Sequence, residues 1–150
     1  MRFYPPLFFQ RIWVKKFHKG FTGVEVKIAK SILNTNYNRS IFGGTIFSAS
    51  DPFYALLFDQ ILQRRGFKTR VWLKSAQISY LKPGRTNLYF KIMLTESDIQ
   101  EAETALKTFG KFVKAFQMEI TNSDGEVCAK VINEVYLRNL FKGEEETVAY

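Results

Sequence analysis

The feature that most constrains the fold is the apolar segment from Gly44 to Gln63, which carries Ile46, Phe47, Ala49, Phe53, Tyr54, Leu56, Leu57, Phe58, Ile61 and Leu62. A helix over these residues has hardly any polar face. Such a helix must be covered on several sides, by a sheet that wraps it or by partners. Pro52 falls inside it, removing one backbone donor and disfavouring the helical region at Asp51. Two readings follow: a helix kinked at that point, or an N-cap at Asp51 with Pro52 as the first helical residue. No apolar run reaches the ~20 residues a bilayer span needs, so no integral membrane segment is expected.

The flanking sequence supplies strands to cover this helix. Val24, Val26 and Ile28 alternate with Glu25 and Lys27, a half-buried strand with room to continue to Leu33. Three longer alternating runs, Thr69 to Tyr80, Arg85 to Thr95 and Lys111 to Asn122, are predicted strands. Lys82-Pro83-Gly84 has turn chemistry and makes the first two of these runs expected hairpin partners. Ser97-Asp98-Ile99-Gln100 has the form of a capping box and opens a small inserted helix ending near Phe109 and Gly110. Ser123-Asp124-Gly125 turns the chain into a fifth strand carrying Val127, Ala129, Val131, Val135 and Leu137. Residues 1–17 are expected to pack on the domain as a short amphipathic helix over about 6–16, with membrane association a minority alternative. Residues 142–150 are expected to fray.

No repeat or linker divides the 150 residues, so the chain reads as a single α+β domain. Its expected architecture is a curled antiparallel sheet of five to six strands around one long central helix.

Two scarce residue types restrict the chemistry. His18 is the only histidine and Cys128 the only cysteine. A histidine-paired triad, a multi-histidine metal site and a cysteine zinc cluster are therefore not expected, and neither is an intramolecular disulfide. The lone cysteine fits a reducing compartment, and a cytoplasmic location is expected. Any hydrolytic base should then be a carboxylate. Phe contributes 15 residues, an excess that suits core packing between sheet and helix and also suits an acyl pocket.

The run from Asn36 through Phe42-Gly43-Gly44 to Asp51 resembles the signature of hotdog-fold acyl-CoA thioesterases of the phenylacetyl-CoA type. In that family an Asn lies upstream of a His-Gly-Gly turn, and an acid follows seven residues after the second Gly. Gln77-Ile78-Ser79-Tyr80-Leu81-Lys82-Pro83 is similar to the family's strand ending in an aromatic residue and then Pro. The resemblance implies a hotdog fold and hydrolysis of a fatty or aryl acyl thioester by carboxylate-activated water. Coenzyme A then enters only as part of the substrate, and an acyl-carrier protein is an alternative carrier.

In that reading Gly43 and Gly44 leave helix N–H groups free to polarise a thioester carbonyl, and Asp51 is the base or nucleophile. Asn36 holds water or thioester, or is a loop Asn bonding its own backbone. Asp51, too, has an alternative role as an N-cap without chemistry. Phe42 stands where the family has His, and Leu73 where some members carry a helper hydroxyl. Ser75, two residues on along the same strand face, is the expected substitute. The fold implies a homodimer or dimer of dimers, with the Gly turn and the acid contributed by different chains. A non-catalytic protein that binds acyl-CoA or lipid is the alternative function.

The formal charge of +8 admits nucleic acid, a membrane surface or an anionic small molecule. The basic residues are dispersed and match no nucleic-acid recognition motif, so no nucleic-acid partner is expected. Arg64, Arg65, Lys68, Arg70, Lys82 and Arg85 are candidates for the phosphates of coenzyme A, each weighed against a merely solvated position.

Overall fold

The computed structural model describes residues 4–140, so the expected frayed tail at 142–150 lies outside the described residues. The element order is α1 (Pro5–Phe8), β1 (Ile12–Phe17), β2 (Gly23–Ile28), α2 (Gly43–Ser50), α3 (Pro52–Arg64), β3 (Thr69–Tyr80), β4 (Leu88–Met93), α4 (Glu96–Phe109), β5 (Lys111–Thr121) and β6 (Val127–Asn139). A single 3₁₀ turn, Lys19–Phe21, joins β1 to β2. The six strands form one antiparallel sheet in the order β1-β2-β4-β5-β6-β3.

The central apolar segment forms two helices in tandem. Phe53, Leu57, Phe58 and Leu62 of α3 are fully buried and recur at helical spacing. The sheet supplies the cover that this face requires: Phe53 meets Phe90 of β4, Phe58 meets Phe112 and Phe116 of β5, and Tyr54 stacks on Phe116. Burial and, secondarily, the Asp98 carboxylate push the Tyr54 phenol up to about 12. The aromatic excess therefore serves the core in large part.

The amino-terminal segment departs from expectation. Its helix is only four residues long, and most of the predicted 6–16 helix is strand β1. Arg11 adopts φ 61°, which ends helical geometry. The β-branched and aromatic run Ile12-Trp13-Val14 then pairs with β2, with Ile12 opposite Ile28 and Val14 opposite Val26. Strand β2 stops at Ile28 rather than continuing to Leu33. The Asn34 amide donates to the carbonyls of Gln10 and Ala29 and turns the chain away, leaving Ile32 and Leu33 exposed.

Strand β4 also differs in partner. It lies between β2 and β5, while β3 pairs along its length with β6, so the predicted β3–β4 hairpin does not form. The two longest strands, 12 and 13 residues, satisfy each other's backbone. The segment between β3 and β4 is tied down elsewhere: the Leu81 and Lys82 amides donate to the Cys128 carbonyl, and Ile41 donates to Gly84. Helix α4 forms as expected and ends at Gly110 with φ 75°. Its capping box is Thr95 with Asp98, not Ser97 with Gln100, because the Thr95 hydroxyl accepts from the Asp98 amide and the Asp98 carboxylate accepts from the Thr95 amide.

Candidate functional site

Pro52 has no amide to continue α2, and the chain changes helix at Asp51. Asp51 has φ −70° and ψ −58° and no side-chain capping bond, so the N-cap geometry does not occur and the kinked alternative does. The Ser50 hydroxyl donates to the Phe47 carbonyl at 2.7 Å, and the Asp51 amide reaches Ser48 at 3.4 Å, in place of regular helical bonds. From β6, the fully buried Asn133 donates its amide to the Ser50 carbonyl at 2.8 Å. The peptide plane that carries the Asp51 nitrogen is thus held by a side chain from the sheet.

The Asp51 side chain is exposed, and its carboxylate makes no hydrogen bond or ion pair among the described residues. It opens onto a cavity of about 490 Å³ lined by Phe47, Ser48, Trp72, Leu73, Ser75 and Ala76. One wall is α2 and the other is β3, which is an edge of the sheet. The structure therefore brings Asp51 and Ser75 to one groove. It does not place Ser75 on the same face as Leu73: the β3–β6 register shifts between them. Val71 and Leu73 are half-buried before the shift and Ala76 and Ile78 after it, so the inward set changes parity and Ser75 turns outward.

Gly43 and Gly44 form the first turn of α2, with Phe42 at the N-cap position and no side-chain cap. Their amides have no acceptor among the described residues. The Phe42 ring lies over Gly44 so closely that a Cβ there would come within 2.4 Å of it. The Tyr80 hydroxyl donates to the Gly43 carbonyl at 2.8 Å, and burial pushes the Tyr80 phenol up. Asn36 is engaged locally: its side-chain oxygen accepts from the Asn38 amide, the Ser40 amide and the Ser40 hydroxyl.

Four of the basic candidates have partners of their own. Arg64 sits 4.6 Å over the Phe21 ring, Arg65 pairs with Glu96 and Glu103, Lys82 pairs with Glu126, and Arg85 donates to the Asn38 carbonyl. They do not line the Asp51 groove. Two structural contributors escaped the sequence reading. Asn133 interrupts the inward row Val131, Val135, Leu137 of β6, and a polar residue at a core position was the available signal. Tyr80 was visible only as the aromatic end of a strand, with nothing to indicate Gly43 as its partner.

Comparison with known proteins agrees with this architecture. The family described as Domain of unknown function (DUF4442) matches residues 1–137. No curated protein matches the chain. Among solved structures, a Pseudomonas aeruginosa protein of unknown function, termed a probable thioesterase, is 19% identical with a TM-score of 0.70, over 87% of this chain and 84% of that one. A thioesterase from Haemophilus influenzae is 12% identical with a TM-score of 0.69, over 95% of this chain and 89% of that one. The PaaI protein of the E. coli phenylacetic acid degradation operon is 15% identical with a TM-score of 0.59, over 87% and 82%. With its six antiparallel strands wrapped around α3 and these structural neighbours, the chain has a hotdog fold, and it belongs to the DUF4442 family.

Proposed function

We propose that this protein hydrolyses an acyl thioester, with Asp51 as the base that activates water. The observation that carries the reading is the Asp51 carboxylate, exposed and unpaired among the described residues, at a helix joint opening onto a groove with apolar walls. Asp51 takes a proton from water as the water oxygen attacks the carbonyl carbon. The oxyanion is held by the free amides at the start of α2, and collapse expels the thiolate, which takes up the proton. Phe47, Trp72 and Leu73 line the groove and favour a fatty or aryl acyl group, and Ser75 on the same groove orients water or the thioester. Asn36 supports the Gly43-Gly44 turn through its loop bonds rather than through the groove. The carrier is coenzyme A, and the setting is cytoplasmic, in keeping with the single, buried cysteine.

Among the described residues strand β3 has neighbours on one side only, and that free edge borders the groove. Pairing with a second copy along it would bring the α2 amides of one subunit toward the Asp51 groove of the other. The active unit is therefore a homodimer. A second reading, binding of the thioester without turnover, draws on the Phe42 ring lying over Gly44, which puts an apolar group beside the amides that would hold the oxyanion.

The test is a thioester hydrolysis screen across acyl groups, comparing wild type with Asp51→Asn. Loss of a general base is expected to cost about 10²–10⁴-fold in kcat. Equal rates would remove Asp51 from the mechanism. Saturable acyl-CoA binding with no turnover by wild type would establish the second reading instead.

A further inference from the structure

The outer face of the sheet carries a row of like charges that no ion pair compensates among the described residues. Arg138 of β6 is directly opposite Arg70 of β3 on one side and Lys111 of β5 on the other. Directly opposed residues of antiparallel strands point to the same face, with Cβ atoms about 5 Å apart, and like charges so placed are destabilising. Leu137, Val71 and Phe112, the adjacent register positions, point inward, so the three cations project outward. No ion pair engages any of the three among the described residues. The nearest acid along β6, Glu134, is two rows away and already faces Lys74 at 3.7 Å.

The next outward row is aromatic. Trp72 and Tyr136 face each other at 4.4 Å between ring centroids, and 41% of Trp72 is exposed. Trp72 also lines the Asp51 groove. Along β3, therefore, a cation, an accessible indole and the groove succeed one another, with about 7 Å between Arg70 and Trp72.

We infer that this outer surface binds a phosphorylated nucleotide: the Arg70, Arg138 and Lys111 row takes the phosphoryl oxygens and Trp72 offers its face to the base. Three adjacent cations match a multiply charged anion, and the two guanidinium groups can each form paired hydrogen bonds to phosphate. A ring beside them adds stacking that a simple anion cannot use. The inference rests on the thioesterase reading for its physiological ligand, the nucleotide end of coenzyme A, and assigns that end a position outside the groove. Arg70 was one of several basic candidates in the sequence; Lys111 and Arg138 join it only through strand register.

The experiment titrates the full chain with adenosine 3′,5′-bisphosphate, with adenosine and with inorganic phosphate, read by calorimetry and tryptophan fluorescence. The bisphosphate should bind saturably and more tightly than either fragment, with affinity falling as salt rises. The triple variant Arg70→Gln, Arg138→Gln, Lys111→Gln should weaken it at least about tenfold. Its melting temperature should equal or exceed that of wild type, because repulsion is relieved, and this separates lost binding from lost folding. Trp72→Ala should weaken the bisphosphate and leave phosphate unchanged. Equal affinity of triple variant and wild type, or no binding by wild type at millimolar ligand, overturns the site. Phosphate binding as tightly as the bisphosphate, with no effect of Trp72→Ala, overturns the nucleotide in favour of a simple anion. The probe has no thioester, so the two readings fail separately. Binding through the row without hydrolysis sinks only the enzyme. Hydrolysis with an unchanged KM and unchanged probe affinity in the triple variant sinks only this site.

Discussion

Asn133 shows how one buried side chain can govern a carboxylate it does not touch. Its amide nitrogen is satisfied by Ser50, while its side-chain oxygen is buried without a partner. Replacing one partner of a buried hydrogen bond by an apolar residue leaves the other unsatisfied, here the Ser50 carbonyl, at a cost of about 1–3 kcal/mol. Asn133→Leu should therefore lower the melting temperature modestly while freeing the peptide plane that carries the Asp51 nitrogen. Misplacement of a catalytic group by fractions of an ångström reduces turnover, here an expected fall of about tenfold in kcat with KM nearly unchanged. Hydrogen exchange at the Asp51 amide should accelerate in parallel. A variant with unchanged exchange and unchanged kcat would show that Asn133 only fills space. Asp51 was a candidate through the family resemblance that its spacing to Gly43-Gly44 carries. The residue that positions it comes from 82 positions along the chain, 133 minus 51, and no local pattern connects the two.

Among the elements, α4 has the most fully specified start. Burial raises the Asp98 carboxyl, but hydrogen bonds from the Thr95 amide and hydroxyl, together with Lys114, outweigh that effect and hold it below the ordinary carboxylate value. A folded-state value below the unfolded one contributes stability that is present above the ordinary carboxylate range and is lost as pH falls through the folded value. Asp98→Asn should cost about 0.5–2 kcal/mol at pH 7. In thermal melts this deficit should shrink as pH is lowered below about 4, since wild type then loses the same contribution. A deficit independent of pH would mean that the carboxylate charge is irrelevant to the cap. The sequence marked this helix and its Gly110 stop, and erred by two residues in the box because Thr95 and Ser97 both have capping side chains. The β1 segment misled more seriously. Its aromatic and basic spacing suits a helix as well as a strand, and pairing with β2 decided between them.

At the scale of the whole molecule, the free edge of β3 is the feature with the clearest consequence. A 12-residue edge strand, open on one side among the described residues and bordering the groove, is a template for a second copy. Sedimentation velocity at micromolar concentration should find a dimer, and hydrolysis should fall on dilution below its dissociation constant. A monomer with full activity would place the complete site within one chain. The groove side of β3 and the charged row on its outer face belong to the same strand, so dimerisation and nucleotide binding are expected to be coupled.

The sequence alone determined the fold class, because a helix apolar nearly all round allows few covers and alternating strands provide one. It also limited the chain to one histidine and one cysteine, and its resemblance to a known signature made Asp51 and the glycine turn candidates. Tertiary structure decided strand order, the kink over the N-cap at Asp51, the outward turn of Ser75 and the alignment of Arg70, Arg138 and Lys111. Each of these depends on which strands pair and in what register. That choice is made by burial and backbone hydrogen bonding across the whole sheet, between residues far apart in the chain.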